Sequence, residues 1–183
     1  MAASVLNSAC KQNRPLGGPT TEQGVTEHTE KPIYIHASAV ALGESGVLIR
    51  GASGTGKSSL ALALVDAWTI RGGFSSLVSD DRVAYTIVNG RAVLSAHPAT
   101  AGLVEWRGLG LLSQPHEIKA VLKLIIDLEI GSADSGEPRL PNQSELCCDF
   151  NALKSLPRLR LPARETWRSA AAIMAFLHTL STK

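Results

Sequence analysis

The sequence is sparing with several residue classes, and each scarcity excludes something. Cysteine occurs three times in 183 residues, as Cys10 and the neighbours Cys147 and Cys148. An odd count with two adjacent members is poorly suited to an internal disulfide framework and fits a reducing cytoplasm. Long apolar runs are missing: the richest stretches, residues 121–126 and 170–177, fall far short of the roughly twenty needed to span a bilayer. No membrane span is expected. Residues 1–30 lack the apolar segment of a signal peptide, which argues against export. Charge of one sign is not in excess either, with 18 Lys and Arg against 16 Asp and Glu and a formal net charge of +2. A nucleic-acid partner is therefore not expected.

What is present fits one α/β or α+β domain with a tail. The chain is 44% hydrophobic and 19% charged, too short for two full domains and without internal repeats. Residues 1–30 are rich in Ser, Thr, Gln, Asn, Gly and Pro, a mixture that buries too little apolar surface to offset the entropy of ordering, and they are expected to form a disordered tail. Residues 31–183 are expected to form the folded domain.

Order is expected to begin at residues 32–36 and continue through 39–42. A turn at 43–46 then leads into Val47-Leu48-Ile49, giving a hairpin. Residues 59–69 read as a helix with Leu60, Leu64 and Trp68 on one stripe. Strands are expected at 74–78, at 83–88 and 91–94 around an Asn89-Gly90 type I′ turn, at 103–107 and, buried, at 118–128. Residues 131–145 read as a long surface loop. Residues 165–180 read as an amphipathic helix. The basic residues Lys154, Arg158, Arg160, Arg164 and Arg168 read as a solvated face, with docking of an acidic partner surface or a phosphate as the alternative.

Gly51-Ala52-Ser53-Gly54-Thr55-Gly56-Lys57-Ser58 satisfies G-x-x-x-x-G-K-[ST] between an apolar strand and a helix, the context a phosphate-binding loop requires. Its glycines let main-chain N–H groups turn inward around a phosphate, and the helix N-terminus adds partial positive charge there. Lys57 would neutralise the β- and γ-phosphates, Ser58 would ligate Mg²⁺, and Ser59 continues the nucleotide-binding segment.

The loop predicts a nucleotide but not an acceptor. Two acidic clusters compete, Asp80-Asp81 after a strand and Asp127 with Glu129 in the aliphatic run 124–129. By pattern the Asp127 cluster is closer to a Walker B strand; either cluster is also compatible with a solvated strand end. On a strand, Glu105 and Arg107 share a face opposite Val104 and Trp106. Glu105 could then hold Mg²⁺ and Arg107 could stabilise a transferring phosphoryl group, while an exposed Glu–Arg pair is the plainer alternative. Trp106 reads as filler of core volume.

Four blocks together resemble bacterial HPr kinase/phosphorylase: His36-Ala37-Ser38-Ala39-Val40, the loop at 51–58, Ser79-Asp80-Asp81-Arg82-Val83, and Leu103-Val104-Glu105-Trp106-Arg107-Gly108-Leu109-Gly110-Leu111-Leu112. The resemblance covers about 150 residues in matching order. It implies a P-loop kinase fold related to phosphoenolpyruvate carboxykinase, with a central mixed sheet and flanking helices. It also implies Mg²⁺- and ATP-dependent phosphorylation of a serine on an HPr-type phosphocarrier of the sugar phosphotransferase system, with inorganic phosphate as the attacking group in the reverse reaction. Asp80 is implied as the acid/base, Lys57 on the phosphates, Ser58 and Glu105 as Mg²⁺ ligands with Asp81 in support, Arg107 on the developing charge, and His36 as a catalytic-site histidine, with a satisfied structural histidine near the nucleotide as the alternative reading of that residue. Asp127 is implied to be structural. The chain resembles a short form holding the catalytic domain alone, and self-association is implied without a defined order. An active-site arginine of the family corresponds to Arg164 or Arg168. A small-molecule P-loop kinase and a nucleotide-sensing module without turnover are the alternatives.

Overall fold

The computed structural model describes residues 31–131 and 142–181. The tail expected at 1–30, and most of the loop expected at 131–145, lie outside the described residues.

Chain order begins with β1 (Ile33–Ile35), β2 (Ala37–Leu42) and β3 (Ser45–Gly51), followed by α1 (Lys57–Ile70), β4 (Ser75–Ser79), β5 (Val83–Val88) and β6 (Arg91–Ala96). Then come β7 (Leu103–Trp106), β8 (Gly110–Ser113), the long β9 (Lys119–Glu129), β10 (Cys147–Phe150), β11 (Leu153–Pro162) and α2 (Thr166–Ser181). The main sheet runs β1-β5-β6-β9-β3-β2-β4, and β11 also pairs with β9 and carries β10. β9 is parallel to both β3 and β11 and antiparallel to β6. Near-continuous aliphatic runs suit strands buried on both faces, and Val47, Leu48, Ile49, Leu124, Ile125 and Ile126 are all fully buried.

Two apolar layers follow from the alternation of side chains. Val47, Ile49, Leu124 and Ile126 meet Leu60, Leu64, Ile173, Met174 and Leu177, so both helices cover the same face. Leu48, Ile125, Ala39 and Ala41 point the other way and meet Val83, Tyr85, Leu94 and Phe150. The sheet thus curls back to cover its own second face. The β7–β8 hairpin is a separate two-stranded sheet anchored by buried Val104.

The β2–β3 hairpin and the Asn89-Gly90 turn form as expected, with φ of 49° and 69° at the two turn residues, the left-handed pair a type I′ turn needs. Four expectations are corrected. The first strand is interrupted by a bend at His36, where the chain passes from β1, paired with β5, to β2, paired with β3 and β4. The strand at 103 ends at Trp106, so Arg107 lies in the hairpin turn and face alternation with Glu105 does not govern it. Trp106 is 37% exposed and belongs to neither buried cluster, so it does not fill core volume.

The basic stretch at 154–168 is the remaining correction, because most of it is β11. Its charges are engaged: Lys154 with Asp149 at 2.7 Å, Arg160 with Glu129 at 2.6 Å and Arg168 with Glu165 at 3.2 Å. Arg158 donates to the Glu145 carbonyl.

Candidate active site

The topology gathers the chemistry at one edge. β2 starts where β3 ends, with Ala37 opposite Arg50, and β4 ends beside the start of β2, with Ser79 opposite Ala39. His36, the glycine loop and Asp80-Asp81 therefore converge although they lie far apart in sequence. Ligands bind beyond the carboxyl ends of strands in open α/β sheets, and this edge holds those of β3, β4 and β9.

The loop keeps tight backbone geometry. A Cβ on Gly51 would lie 2.7 Å from Thr55 Oγ1 and 3.0 Å from the Leu128 carbonyl, so no larger residue fits. Gly56 precedes α1 with φ 94°, a left-handed conformation that a side chain would strain. Thr55 is buried and closes the turn on the Ala52 carbonyl at 2.8 Å. Lys57 Nζ donates to the carbonyls of Gly51 at 3.0 Å and Ala52 at 3.2 Å, and contacts His36 Nε2 at 3.0 Å.

Because an ammonium has only donors, His36 Nε2 accepts and Nδ1 carries the ring proton. That proton faces Asp81, with Oδ1 at 2.9 Å and the carbonyl at 3.1 Å. Burial pushes the Lys57 ammonium below the ordinary lysine range, and the nearby Asp81 and Asp80 charges oppose that shift.

Asp80 is 2% exposed and directly follows the end of β4. Its Oδ1 accepts from Ser58 Oγ at 2.9 Å and from Ser38 Oγ at 2.5 Å. Among the described residues Oδ2 is buried and has no hydrogen-bond partner. A buried carboxylate oxygen left bare costs free energy unless something charged or protic occupies the space in front of it. Ser58 spends its hydrogen on Asp80, so its oxygen lone pairs are available to a cation. Among the described residues no group of three His, Cys, Asp or Glu side chains could hold a metal ion. This donor set fits Mg²⁺, which keeps several waters and takes one or two protein oxygens together with substrate phosphates.

Asp81 stands exposed in the left-handed region at φ 61° and turns away from Asp80 towards His36. Asp127 has a different environment. Arg50 grips it through two bonds, Nε to Oδ1 at 2.7 Å and Nη2 to Oδ2 at 2.8 Å, and Arg158 stands 3.9 Å from Oδ2. The Asp127 bond holds the Arg50 guanidinium above its usual pKa although burial works against it.

Two arginines lie against Gly54. A Cβ placed there would sit 3.5 Å from Arg107 Nη2, and Arg164 Nε donates to the Gly54 carbonyl at 3.3 Å. The Arg164 main-chain N–H donates to the Thr55 carbonyl at 2.9 Å, with Arg164 itself at φ 65°. Arg164 therefore touches the loop, while Arg168 points to solvent and pairs with Glu165. Glu105 is exposed on β7, and its carboxylate engages no partner among the described residues. Ser38 is a site residue that sequence reasoning misses; its only signal is a lone hydroxyl inside the apolar run that starts β2.

With this geometry established, the similarities to known proteins are specific. A model of the HPr Serine kinase C-terminal domain matches residues 27–181. The chain belongs to that family. It is 32% identical over 148 residues to the HPr kinase/phosphorylase of Levilactobacillus brevis, covering 76% of this chain and 45% of that protein. It is 35% identical over 156 residues to that of Mycoplasmopsis pulmonis, covering 81% and 48%. The chain thus spans about half the length of the curated relatives it matches. The fold is shared with the structure of the Hpr(Ser) kinase/phosphatase from Coxiella burnetii, at TM-score 0.66 and 21% identity over 81% of this chain and 99% of that one. The fold is accordingly P-loop kinase-like, with a curled mixed sheet and both helices on one face. No helix among the described residues is long and apolar enough to cross a membrane.

Proposed function

We propose that residues 31–183 are the catalytic unit of a kinase that moves the γ-phosphoryl group of ATP to a serine hydroxyl of an HPr-type phosphocarrier. The carrying observation is the 2.9 Å bond between Ser58 of the phosphate loop and Asp80, whose second oxygen is buried and bare.

The amides of residues 51–58 and Lys57 would bind the triphosphate, with Ser59 extending the segment along α1. Mg²⁺ would supply charge neutralisation across the β- and γ-phosphates, and Ser58 and Glu105 would hold it with Asp81 in support. Asp80 Oδ2 would accept the proton of the incoming serine hydroxyl while Oδ1 stays anchored by Ser38 and Ser58. That anchoring leaves the carboxylate little freedom, so the base is oriented before the substrate arrives. Arg107 and Arg164, both against Gly54, would hold charge developing on the transferred group. His36 would fix Lys57, with Asp81 fixing the ring tautomer.

In the reverse direction phosphate would attack the phosphoserine and protonated Asp80 would return the proton to the leaving oxygen. The partly buried cysteines Cys147 and Cys148 suit a cytoplasmic setting. Self-association belongs to the same proposal.

The test is incubation with γ-labelled ATP, Mg²⁺ and the phosphocarrier. Label on a carrier serine supports the reading. Label only on a small metabolite would favour a small-molecule kinase, and nucleotide binding with no transfer or hydrolysis would favour a sensing module.

A further inference from the structure

The first turn of α2 carries a large apolar plane with little to cover it. Trp167 is 77% exposed, against 37% for Trp106, and Trp68 is partly buried against the core. Isolated exposed hydrophobics are ordinary, so position decides whether this one has a use.

Its position is fixed by the link from β11 to α2, which is clamped on the phosphate loop. Arg164 is bound to Thr55 and Gly54 through its main chain and side chain. A Cβ on Gly56 would lie 3.8 Å from Arg164 Cα and 4.0 Å from Thr166 Oγ1. Trp167 is the next residue. Ala170, Ile173, Met174 and Leu177 bury the helix against the core. At 100° per residue Trp167 falls at the flank of that stripe, at the end of the helix nearest the loop.

A phosphate loop grips its ligand through main-chain amides and reads nothing of the base. A base attached to phosphates held there must rest somewhere on the rim. The hairpin side of the rim presents the Arg107 guanidinium, and Trp106, at the end of β7, is half as exposed as Trp167. The α2 side presents an open indole on a rigid helix.

We propose that Trp167 is the platform on which the base of the bound nucleotide stacks. This rests on the triphosphate site of the proposed kinase and adds the element that recognises the nucleoside end. Aromatic stacking accepts any base face and strengthens with ring area, so purine triphosphates bind more tightly than pyrimidine triphosphates.

The test is calorimetric titration, in Mg²⁺, of ATP and of inorganic tripolyphosphate into wild type, Trp167→Ala and Trp167→Phe. Tripolyphosphate occupies the loop but has no base. The expected result is that Trp167→Ala weakens ATP roughly 5- to 150-fold, the range for loss of one stacked base. Tripolyphosphate should be unaffected, and Trp167→Phe should restore most of the ATP affinity. Unchanged ATP affinity in Trp167→Ala, or equal weakening of both ligands, overturns the stacking role while leaving the loop's function standing. Failure of both ligands to bind wild type overturns the triphosphate reading and this inference with it.

Discussion

Asp80 and Asp127 are two acids at strand ends on the same edge of one sheet, and their surroundings are opposite. Asp127 lies on β9 opposite Arg50 of β3 and Arg160 of β11, and both its oxygens are taken by Arg50. Asp80 gives one oxygen to two hydroxyls and, among the described residues, keeps the other buried and bare. A saturated carboxylate ties strands together; a carboxylate with an unspent oxygen facing a phosphate loop can still take a proton or a cation. Pattern alone ranks them the other way, because the aliphatic run before Asp127 is the better likeness of a Walker B strand.

The largest expected break in this contrast is Asp80→Asn. The amide keeps an acceptor for Ser38 and Ser58 but puts a donor where the bare oxygen was, so transfer to the carrier serine should fall about 10²- to 10⁴-fold. Mg·ATP binding and urea stability should stay close to wild type. Asp127→Ala should do the reverse. It strips the half-buried Arg50 of its two bonds to Asp127 and should cost about 1–3 kcal/mol of stability in urea unfolding, with nucleotide affinity largely kept.

These two acids also mark how far sequence carries. The loop is legible because its eight residues, the strand before it and the helix after it are contiguous. The β2–β3 hairpin and the Asn89-Gly90 turn are legible for the same reason. β11 is not: Pro157 and the alternating Arg158 and Arg160 read as a solvated basic stretch, because the acids that engage them, Asp127 and Glu129, come from β9 about thirty residues earlier. Which arginine reaches the loop is equally hidden. Arg164 and Arg168 differ only through a turn after Pro162 that puts Arg164 in the left-handed region and onto Gly54, 110 residues away. Ser38 is hidden because a buried serine in a strand is silent until its acceptor across the sheet is known.

A smaller effect is the pH dependence that Lys57, beside Asp80 and Asp81, adds to stability. The depressed pKa of Lys57 means that, just below the ordinary lysine range, the unfolded chain holds a proton the folded chain has released. Stability should therefore rise with pH through that interval, and urea unfolding of Lys57→Met should lose this slope. Bound triphosphate should raise the Lys57 pKa and flatten the wild-type slope as well. Smallest of all, Lys154→Ala removes an exposed pair with Asp149 and should change stability by no more than about 0.5 kcal/mol in the same unfolding assay.

The most direct measurement is a Mg·ATP titration followed by the chemical shifts of the main-chain amides and of the aspartate carboxyl carbons. The account predicts that the amides of residues 51–58 and the Asp80 carboxyl carbon shift together and saturate at one concentration, while the Asp127 carboxyl carbon holds its position. Movement of Asp127 with the loop, and Asp80 unmoved, would contradict it.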